Sequence, residues 1–167
     1  EITHYISFVA ILSLLVEKCK FLFLFSSFFQ KFAEIFFMSK YIIYEVRTKK
    51  DIRLWLGYPS LLYKDDPHYV RPLDREVEKV FDREQNKLFR HGDATRYLLK
   101  DSDGDILGRI AVFYDEKTSK IYENEENGQK TGGCGFFDCI DNQEAADTLF
   151  DAARQWLAQR GFEAMDG

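Results

Sequence analysis

A β-hairpin in the middle of the chain is the feature that most constrains the fold. Two β-rich runs, residues 94–100 and 105–114, flank a turn that contains Asp103-Gly104, a dipeptide that tolerates positive φ. Gly108 and Arg109 interrupt the second run early, which predicts a bulge or a close approach of another backbone there. The chain is therefore expected to contain at least one antiparallel pair of strands.

The segment before the hairpin predicts one strand and several short helices. Residues 41–48 are β-branched and alternate enough to form a first strand. Residues 49–66 carry apolar side chains at helical spacing, and Pro59 predicts a break into two short helices. Asp74 is expected to cap a further helix, and residues 87–94 are expected to form a loop. That helix would carry Val77, Val80 and Phe81 on one side.

The segment after the hairpin ends in the clearest helix of the sequence. Residues 115–133 are polar and acidic and predict a loop or a ragged strand extension, and residues 133–141 predict the next strand. Residues 143–160 are amphipathic, Gly161 supplies the stop, and Asp141 with Glu144 resembles a capping box. The expected buried face consists of Ala146, Leu149, Ala153, Trp156 and Leu157.

The order of these elements predicts the fold class. A strand, short helices, an antiparallel meander, an amphipathic helix and a final strand imply an α/β fold with a mixed, mainly antiparallel sheet and flanking helices. The last strand has barely begun at residues 162–167. We therefore interpret the sequence as a fragment whose domain is incomplete at its C-terminal end.

Charge and cysteine usage exclude several classes of function. The net charge of −5 argues against nucleic acid or an anionic membrane as the main partner. Cys19, Cys134 and Cys139 form no CxxC pair, so neither a disulfide framework nor a zinc site is expected. Cys134 and Cys139 are five residues apart on a predicted strand, which places their side chains on opposite faces as buried small hydrophobes.

Residues 1–37 differ in composition from the remainder of the chain. They hold nine of the 16 phenylalanines, and a charged stretch at residues 17–20 divides their apolar run. A transmembrane helix needs about 20 continuous apolar residues, and a secretory signal needs a basic start and a small-residue cleavage site. We favour translated upstream sequence, with the protein starting at Met38, over a membrane anchor. The expected domains are residues 1–37 and residues 38–167.

Four stretches together resemble one superfamily. They are "YPSLLYKDDPHYVRPL" (58–73), "GDILGRIAVFYD" (104–115), "CGFFDCIDN" (134–142) and "AARQWLAQRGF" (152–162). As a set they resemble GNAT-like bacterial proteins, members of the acyl-CoA-dependent N-acyltransferase superfamily. The resemblance covers about residues 41–167 and implies a GNAT-type sheet. It also implies a second GNAT-like half against which this part would pack.

The resemblance implies where acetyl-CoA or another acyl-CoA would bind. The strand that admits the pantetheine arm corresponds to residues 136–140, with Phe137 and Cys139 on it. The loop that wraps the pyrophosphate corresponds to residues 141–146, with Asn142 and Gln143. That loop has no glycine and no basic lead residue. Its carboxylates, Asp141, Glu144 and Asp147, would repel a pyrophosphate.

Four residues are candidates for catalysis or substrate binding. Asp138 could act as the base for a substrate amine, or it could be a solvent-facing acid. Arg109 lies in an apolar strand and needs a partner, which could be a structural carboxylate or a ligand group. Tyr69 could line an acceptor pocket together with Tyr58, Tyr63 and Trp55, or these aromatics could form the packing face of short helices. His68 is a further candidate base, with a solvated surface residue as the alternative.

His91, like His68, is either a candidate base or a solvated surface residue. If the chain is part of an enzyme, the resemblance implies direct transfer of an acyl group from acyl-CoA to a small-molecule amine in the cytoplasm. Backbone N–H groups around Phe137 and Cys139 would then polarise the thioester carbonyl. The alternative is a non-catalytic GNAT-like module that packs against a partner domain, and membrane attachment would depend on residues 1–37.

Overall fold

The computed structural model describes residues 40–124 and 128–167. Five strands form one sheet in sequence order, and neighbouring strands are antiparallel except for β4 and β5, which are parallel. The expected mixed, mainly antiparallel α/β class is therefore confirmed. The interpretations of residues 1–37 as a leader or anchor lie outside the described residues. The strands are β1 (Tyr41–Glu45), β2 (Gly92–Asp101), β3 (Ile106–Asp115), β4 (Thr131–Cys139) and β5 (Ala164–Asp166).

Four α-helices flank this sheet. They are α1 (Lys49–Leu62), α2 (Asp74–Phe81), α3 (Glu116–Glu123) and α4 (Gln143–Ala158), and a 3₁₀ turn covers Lys87–Arg90. Across residues 40–124 and 128–167, no helix has both the length and the apolar character that crossing a membrane requires.

Neighbouring residues of the hairpin pack on opposite faces of the sheet. Leu99 and Ile110 belong to a core cluster with Leu149 of α4, whereas Leu98 belongs to a second cluster with Trp55 of α1. Successive side chains of a strand point to opposite faces, so α4 covers one face and α1 the other. We call these the α4 face and the α1 face.

The hairpin forms as predicted. Gly104 has φ +90, and the Oδ1 atom of Asp101 accepts hydrogen bonds from two backbone N–H groups of the turn. Of the two alternatives predicted at Gly108, the bulge is confirmed. The β2–β3 register shifts beside it, and a Cβ added to Gly108 would lie 2.7 Å from Cδ1 of Leu149. The glycine thus allows α4 to approach β3 closely.

Helix α1 continues through Pro59, so the predicted break into two short helices is wrong. A proline has no N–H, and its position leaves the carbonyl of the residue four earlier without its helical partner. Here that carbonyl belongs to Trp55, and Nη1 of Arg109 donates to it at 2.8 Å. A side chain from β3 therefore supplies the hydrogen bond that the helix lacks.

Helix α4 begins at Gln143 as predicted, but its N-cap lies one residue later than predicted. The N-cap is Asn142 and not Asp141, because the Asn142 Oδ1 atom accepts from the backbone N–H of Ala145 at 3.0 Å. The same oxygen accepts from the Tyr41 hydroxyl at 3.2 Å, which ties the helix to β1. The buried face includes Ala145 in place of Ala146, and the other four expected residues are buried. Gly161, with φ +78, follows the helix end as expected.

Three shorter predictions are also corrected. Asp74 does not cap α2, because it is the first helical residue and its carboxylate pairs with Arg71. The N-cap is Leu73, which makes no side-chain hydrogen bond. The predicted loop at residues 87–94 contains the 3₁₀ turn and the start of β2. The predicted loop at residues 115–133 contains α3, because Oδ2 of Asp115 accepts from both the backbone N–H and the hydroxyl of Thr118.

A bulge in β4 changes which side chains share a face. Arg109 pairs with Asp138 and Ala111 pairs with Gly135, so two residues of β4 oppose one residue of β3. Phe136, within the bulge, has φ +51. Because the extra residue resets the alternation, Cys134 and Cys139 both pack against the core of the α4 face. The prediction that they point to opposite faces is therefore wrong.

Candidate functional site

The bulge of β4 sends two neighbouring aromatic rings to opposite faces. Phe136 packs edge-on against Trp55 on the α1 face, with ring centroids 5.5 Å apart. Phe137 stacks on Phe150 of α4, with ring centroids 4.6 Å apart. A bulged residue has no partner in the strand ladder, so its backbone groups are available to another molecule. Bulges of this kind commonly redirect a strand beside an active site.

The bulge lies where β4 has an open edge in the described part of the chain. Strand β5 pairs only with residues Thr131, Gly132 and Gly133. Along residues 134–139, the side of β4 away from β3 has no strand neighbour among residues 40–124 and 128–167.

A buried ion pair on the α1 face adjoins the bulge. The Nε atom of Arg109 donates to Oδ2 of Asp138 at 2.7 Å, and the guanidinium lies 4.3 Å from the ring centroid of Trp55. Arg109 therefore has a carboxylate partner within the protein, one of its two expected alternatives. The side chain of Asp138 is only 15% exposed, which corrects the interpretation of it as a solvent-facing acid.

Two tyrosines of the α1 segment border this ion pair. The Tyr63 hydroxyl donates to Oδ1 of Asp138 at 2.9 Å, and the Tyr58 hydroxyl donates to the carbonyl of Leu107 at 2.5 Å. Burial raises the pKa of Tyr58 far above its ordinary value. Burial and the hydrogen bond to Asp138 raise the pKa of Tyr63. Both phenols therefore keep their protons at neutral pH and act as donors.

Tyr69, the predicted substrate residue, stacks on Tyr63 with ring centroids 5.0 Å apart. Through that ring it contacts the hydrogen-bonded series Tyr63, Asp138 and Arg109. The structure therefore brings four candidate residues of the sequence analysis together. His68 and His91 are both exposed and take no part in this chain. Tyr63 was one of the aromatics predicted to line an acceptor pocket, but its hydrogen bond to Asp138 could not be predicted, because the two residues lie 75 positions apart in the chain.

Two further donors on the α1 face are buried without acceptors in the described part of the chain. They are Nη1 of Arg96 and Nε1 of Trp55. The guanidinium of Arg96 lies 4.4 Å from the ring centroid of Phe81, and burial lowers its pKa while Glu78 opposes that shift. This face therefore holds an aromatic cluster with two arginines rather than an ordinary aliphatic core.

A cleft of about 820 Å³ extends from the bulge toward the other end of β4. Helix α2 and the 3₁₀ turn form one wall, and the ends of β2, β3 and β4 form the other. Its apolar lining consists mainly of Val80, Phe81, Leu88, Phe89, Phe113 and Phe136. No local sequence pattern predicted this cleft, because segments that are distant in the chain form it.

The start of α4 does not fit a diphosphate. Asn142 already caps the helix, and Nε2 of Gln143 donates to Asp147 at 2.9 Å. Carboxylates surround these N–H groups, and they would repel an anion. Cys139, the remaining predicted cofactor residue, packs beside Gly108 on the α4 face, and burial raises the pKa of its thiol. Of the four predicted cofactor residues, only Phe137 lies in the bulge.

Comparisons with known proteins give curated relatives and solved structures. No family model matches the chain. Protein YghO of Escherichia coli is 32% identical over 135 residues, covering 78% of this chain and 33% of that protein. A bacterial ceramide synthase of Caulobacter vibrioides is 28% identical over 116 residues, covering 70% of this chain and 29% of that protein. The chain thus spans about a third of the length of the curated relatives it matches.

The solved structures that are similar to this chain include GNAT-family acetyltransferases. A GNAT-family acetyltransferase of Staphylococcus aureus matches with a TM-score of 0.49 and 11% identity, covering 76% of this chain and 72% of that one. A GCN5-related N-acetyltransferase of Kribbella flavida matches with a TM-score of 0.47 and 14% identity, covering 75% of this chain and 70% of that one.

Proposed function

We propose that this chain belongs to an N-acyltransferase and holds the reacting thioester of an acyl-CoA at the β4 bulge. The bulge at Phe136 and Phe137 is the observation that carries the proposal. A backbone N–H released from the strand ladder is a donor for the oxygen of a thioester carbonyl, and such a donor is most effective when charge develops on that oxygen.

The reaction is aminolysis of the thioester. The nitrogen of a neutral amine attacks the carbonyl carbon, a C–N bond forms, and the C–S bond then breaks to release the CoA thiolate, which takes a proton from solvent. The ammonium proton of the attacking nitrogen needs an acceptor. We infer that it passes to the Tyr63 hydroxyl while the proton of that hydroxyl passes to Asp138, because these two groups are already hydrogen-bonded at 2.9 Å. Asp138 then releases this proton to solvent, which restores its carboxylate.

Arg109 would act as a positioning residue in this arrangement. It holds Oδ2 of Asp138 and leaves Oδ1 directed at Tyr63. Arg109 is itself fixed by the carbonyl of Trp55. The carboxylate is therefore held in one orientation by a side chain that does not contact the substrate.

We further propose that the diphosphate of CoA is bound outside the described residues. The capped and acidic start of α4 supports this, as does the length of the curated relatives, of which this chain spans about a third. A second GNAT-like half that packs against this part could supply the missing anion site. The reaction would take place in the cytoplasm, as the sequence analysis expects.

One curated relative suggests the kind of amine. It is named as a bacterial ceramide synthase, and a ceramide is an amide formed on a long-chain amino alcohol. We therefore propose that the acceptor of this protein is also a long-chain amine.

A second candidate function is a non-catalytic module. The acidic, capped start of α4 favours it, because a half that has lost its diphosphate site could serve only as a packing surface for another domain. In that case the bulge would be a structural feature of the sheet.

Release of free thiol from acyl-CoA tests the proposed function. The protein is purified from the cells that make it, so that its natural length is kept, and is mixed with acetyl-, octanoyl- or palmitoyl-CoA and sphinganine. We expect thiol release that requires both substrates. Tyr63→Phe should lower kcat about tenfold or more, within the range of general acid–base catalysis. No release with any thioester would favour the non-catalytic module, and release that does not depend on the amine would contradict the transfer to an amine.

A further inference from the structure

Large apolar side chains are exposed in the cleft beside the bulge. Phe113 is 45% exposed and Leu88 is 60% exposed, and both line the cleft. Large apolar side chains gathered in one concavity commonly mark a binding site. The cleft volume of about 820 Å³ lies within the usual size of small-molecule sites.

Glycines keep the β4 wall of the cleft bare. A Cβ added to Gly133 would lie 2.6 Å from Cε2 of Phe113, the residue that pairs with Gly133 across the sheet. Glycine within a strand weakens the strand, and it often marks a place where a ligand approaches closely. At this position the absence of a side chain lets the Phe113 ring lie flat along the wall of the cleft.

The ends of the cleft differ in charge. Phe136 of the bulge lines one part of it, whereas Asp115 and Asp166 line the part near the ends of β3 and β5. A third carboxylate there, Asp93, is paired with Arg83 at 2.5 Å. The remaining carboxylates disfavour any anionic head group at that end. Because coenzyme A carries phosphates, an acyl-CoA would therefore place its head group on the Phe136 side of the cleft.

We propose that the cleft binds the alkyl chain of a lipid substrate, with the reacting end at Phe136 and the chain running toward Asp115. This inference rests on the proposed function, since the bulge at Phe136 is where the thioester would lie. The alkyl chain could belong to the acyl thioester or to the amine acceptor. Both sources share the same chemistry, an unbranched hydrocarbon chain that gains by leaving water.

Photo-crosslinking with two probes separates the two sources. One probe is palmitoyl-CoA and the other is sphinganine, each with a diazirine near the far end of its chain. After irradiation of the purified protein, the labelled residues are mapped by mass spectrometry. We expect one probe to label the cleft at Leu88 or Phe113, and the probe that does so identifies the source of the chain.

Two variants block the cleft in different ways. Val80→Glu places a charge in the apolar wall at a residue that is 44% exposed, so folding should not be affected. Ala94→Trp fills the cleft from β2 with an apolar group. Each should reduce labelling about tenfold or more, because a buried charge or a filled volume opposes the chain. Leu61→Glu is the matched control, since Leu61 is an exposed apolar residue on α1 away from the cleft, and should leave labelling unchanged.

The outcomes separate this inference from the proposed function. Cleft labelling without amine-dependent thiol release would support the alkyl site and overturn the acyl transfer. Thiol release without cleft labelling by either probe would leave the acyl transfer standing and overturn the alkyl site. Absence of labelling because a protein segment fills the cleft would also overturn it, and so would labelling that Val80→Glu and Ala94→Trp both leave unchanged.

Discussion

The two faces of the sheet are built differently. The α4 face holds the larger core, in which Leu149 and Leu157 of the helix pack against Leu99, Ile110 and Val112 of the hairpin. Within residues 40–124 and 128–167, the buried core of the α1 face consists of Trp55, Leu56, Leu98 and Ala111. Beside that small core lie the Arg109–Asp138 ion pair, two unpartnered donors and the cleft.

This difference indicates a division of roles between the faces. Burying apolar surface stabilises a fold without further requirements, whereas burying charges is favourable only when every partner is in place. A face that keeps buried charges and leaves aromatic side chains exposed is not optimised for stability. Local violations of packing rules of this kind are expected at functional sites. We therefore assign the stability of the fold mainly to the α4 face and the chemistry to the α1 face and the β4 edge.

Breaking the ion pair of the α1 face should give the largest effect. Arg109→Met leaves Asp138 buried without its partner and leaves the Trp55 carbonyl without a donor. We expect the free energy of unfolding to fall by roughly 3–5 kcal/mol, the usual loss when one member of a buried pair is removed. Urea unfolding followed by circular dichroism measures it.

Two controls sharpen this prediction. Arg154→Met removes one member of the exposed pair Arg154–Asp151 on α4 and should leave stability almost unchanged. The double variant Arg109→Met/Asp138→Leu should recover much of the loss, since no unpaired charge remains. A double variant as unstable as Arg109→Met would show that the loss comes from the Trp55 carbonyl or from packing.

Truncation on the α4 face tests where stability resides. Leu149 is fully buried against the hairpin, so Leu149→Ala should cost about 3 kcal/mol through the cavity it leaves. Val80→Ala, on the wall of the cleft, should change stability by less than about 0.5 kcal/mol. Both are measured by urea unfolding. Equal losses at the two positions would contradict the division of roles between the faces.

Local patterns predicted the elements well and their irregularities poorly. The hairpin and α4 follow from a turn dipeptide and from helical periodicity, which are local signals. The continuity of α1 through Pro59 depends on Arg109, which is 54 residues away from Trp55 in the sequence. The bulge depends on Phe136, a residue type that gives no local sign of φ +51. Tertiary contacts decided both cases.

The candidate site was only partly predictable for the same reason. A charge in an apolar strand must have a partner, so the need of Arg109 for one was evident, but the sequence could not choose Asp138. The departure of residues 141–146 from a phosphate-binding loop was visible directly in the sequence. The cleft was not, because α2, β3 and β4 form it from positions far apart in the chain.

The alkaline stability of the protein tests the phenols of the α1 face. The folded-state pKa of Tyr58 is raised above the ordinary value of 10.0, mainly by burial. Its contribution to stability is therefore fully present below about pH 10 and is lost as pH rises above that value, where the unfolded state releases the proton first. Tyr58→Phe should cost about 1–2 kcal/mol at pH 7, since the Leu107 carbonyl loses its donor.

Unfolding measured from pH 8 to pH 11 separates these two effects. Above pH 10, the free energy of unfolding of Tyr58→Phe should fall less steeply with pH than that of the parent protein. The two slopes should differ by at most the amount that corresponds to one bound proton. Some slope should remain, because burial also raises the pKa of Tyr63 and of Tyr97. Parallel curves for the two proteins would contradict the raised pKa of Tyr58.

The smallest expected effect lies at the proline within α1. A proline in the interior of a helix ordinarily costs about 3 kcal/mol relative to alanine, so its replacement would be expected to stabilise the protein by a similar amount. Here the Trp55 carbonyl that Pro59 leaves free is already bonded to Arg109, and Pro59 is itself buried. We therefore expect Pro59→Ala to change the free energy of unfolding by less than about 1 kcal/mol. In the Arg109→Met background that carbonyl lacks a donor, so the same substitution should be more favourable there. A gain near the full helical value in both backgrounds would show that Arg109 does not compensate for the proline.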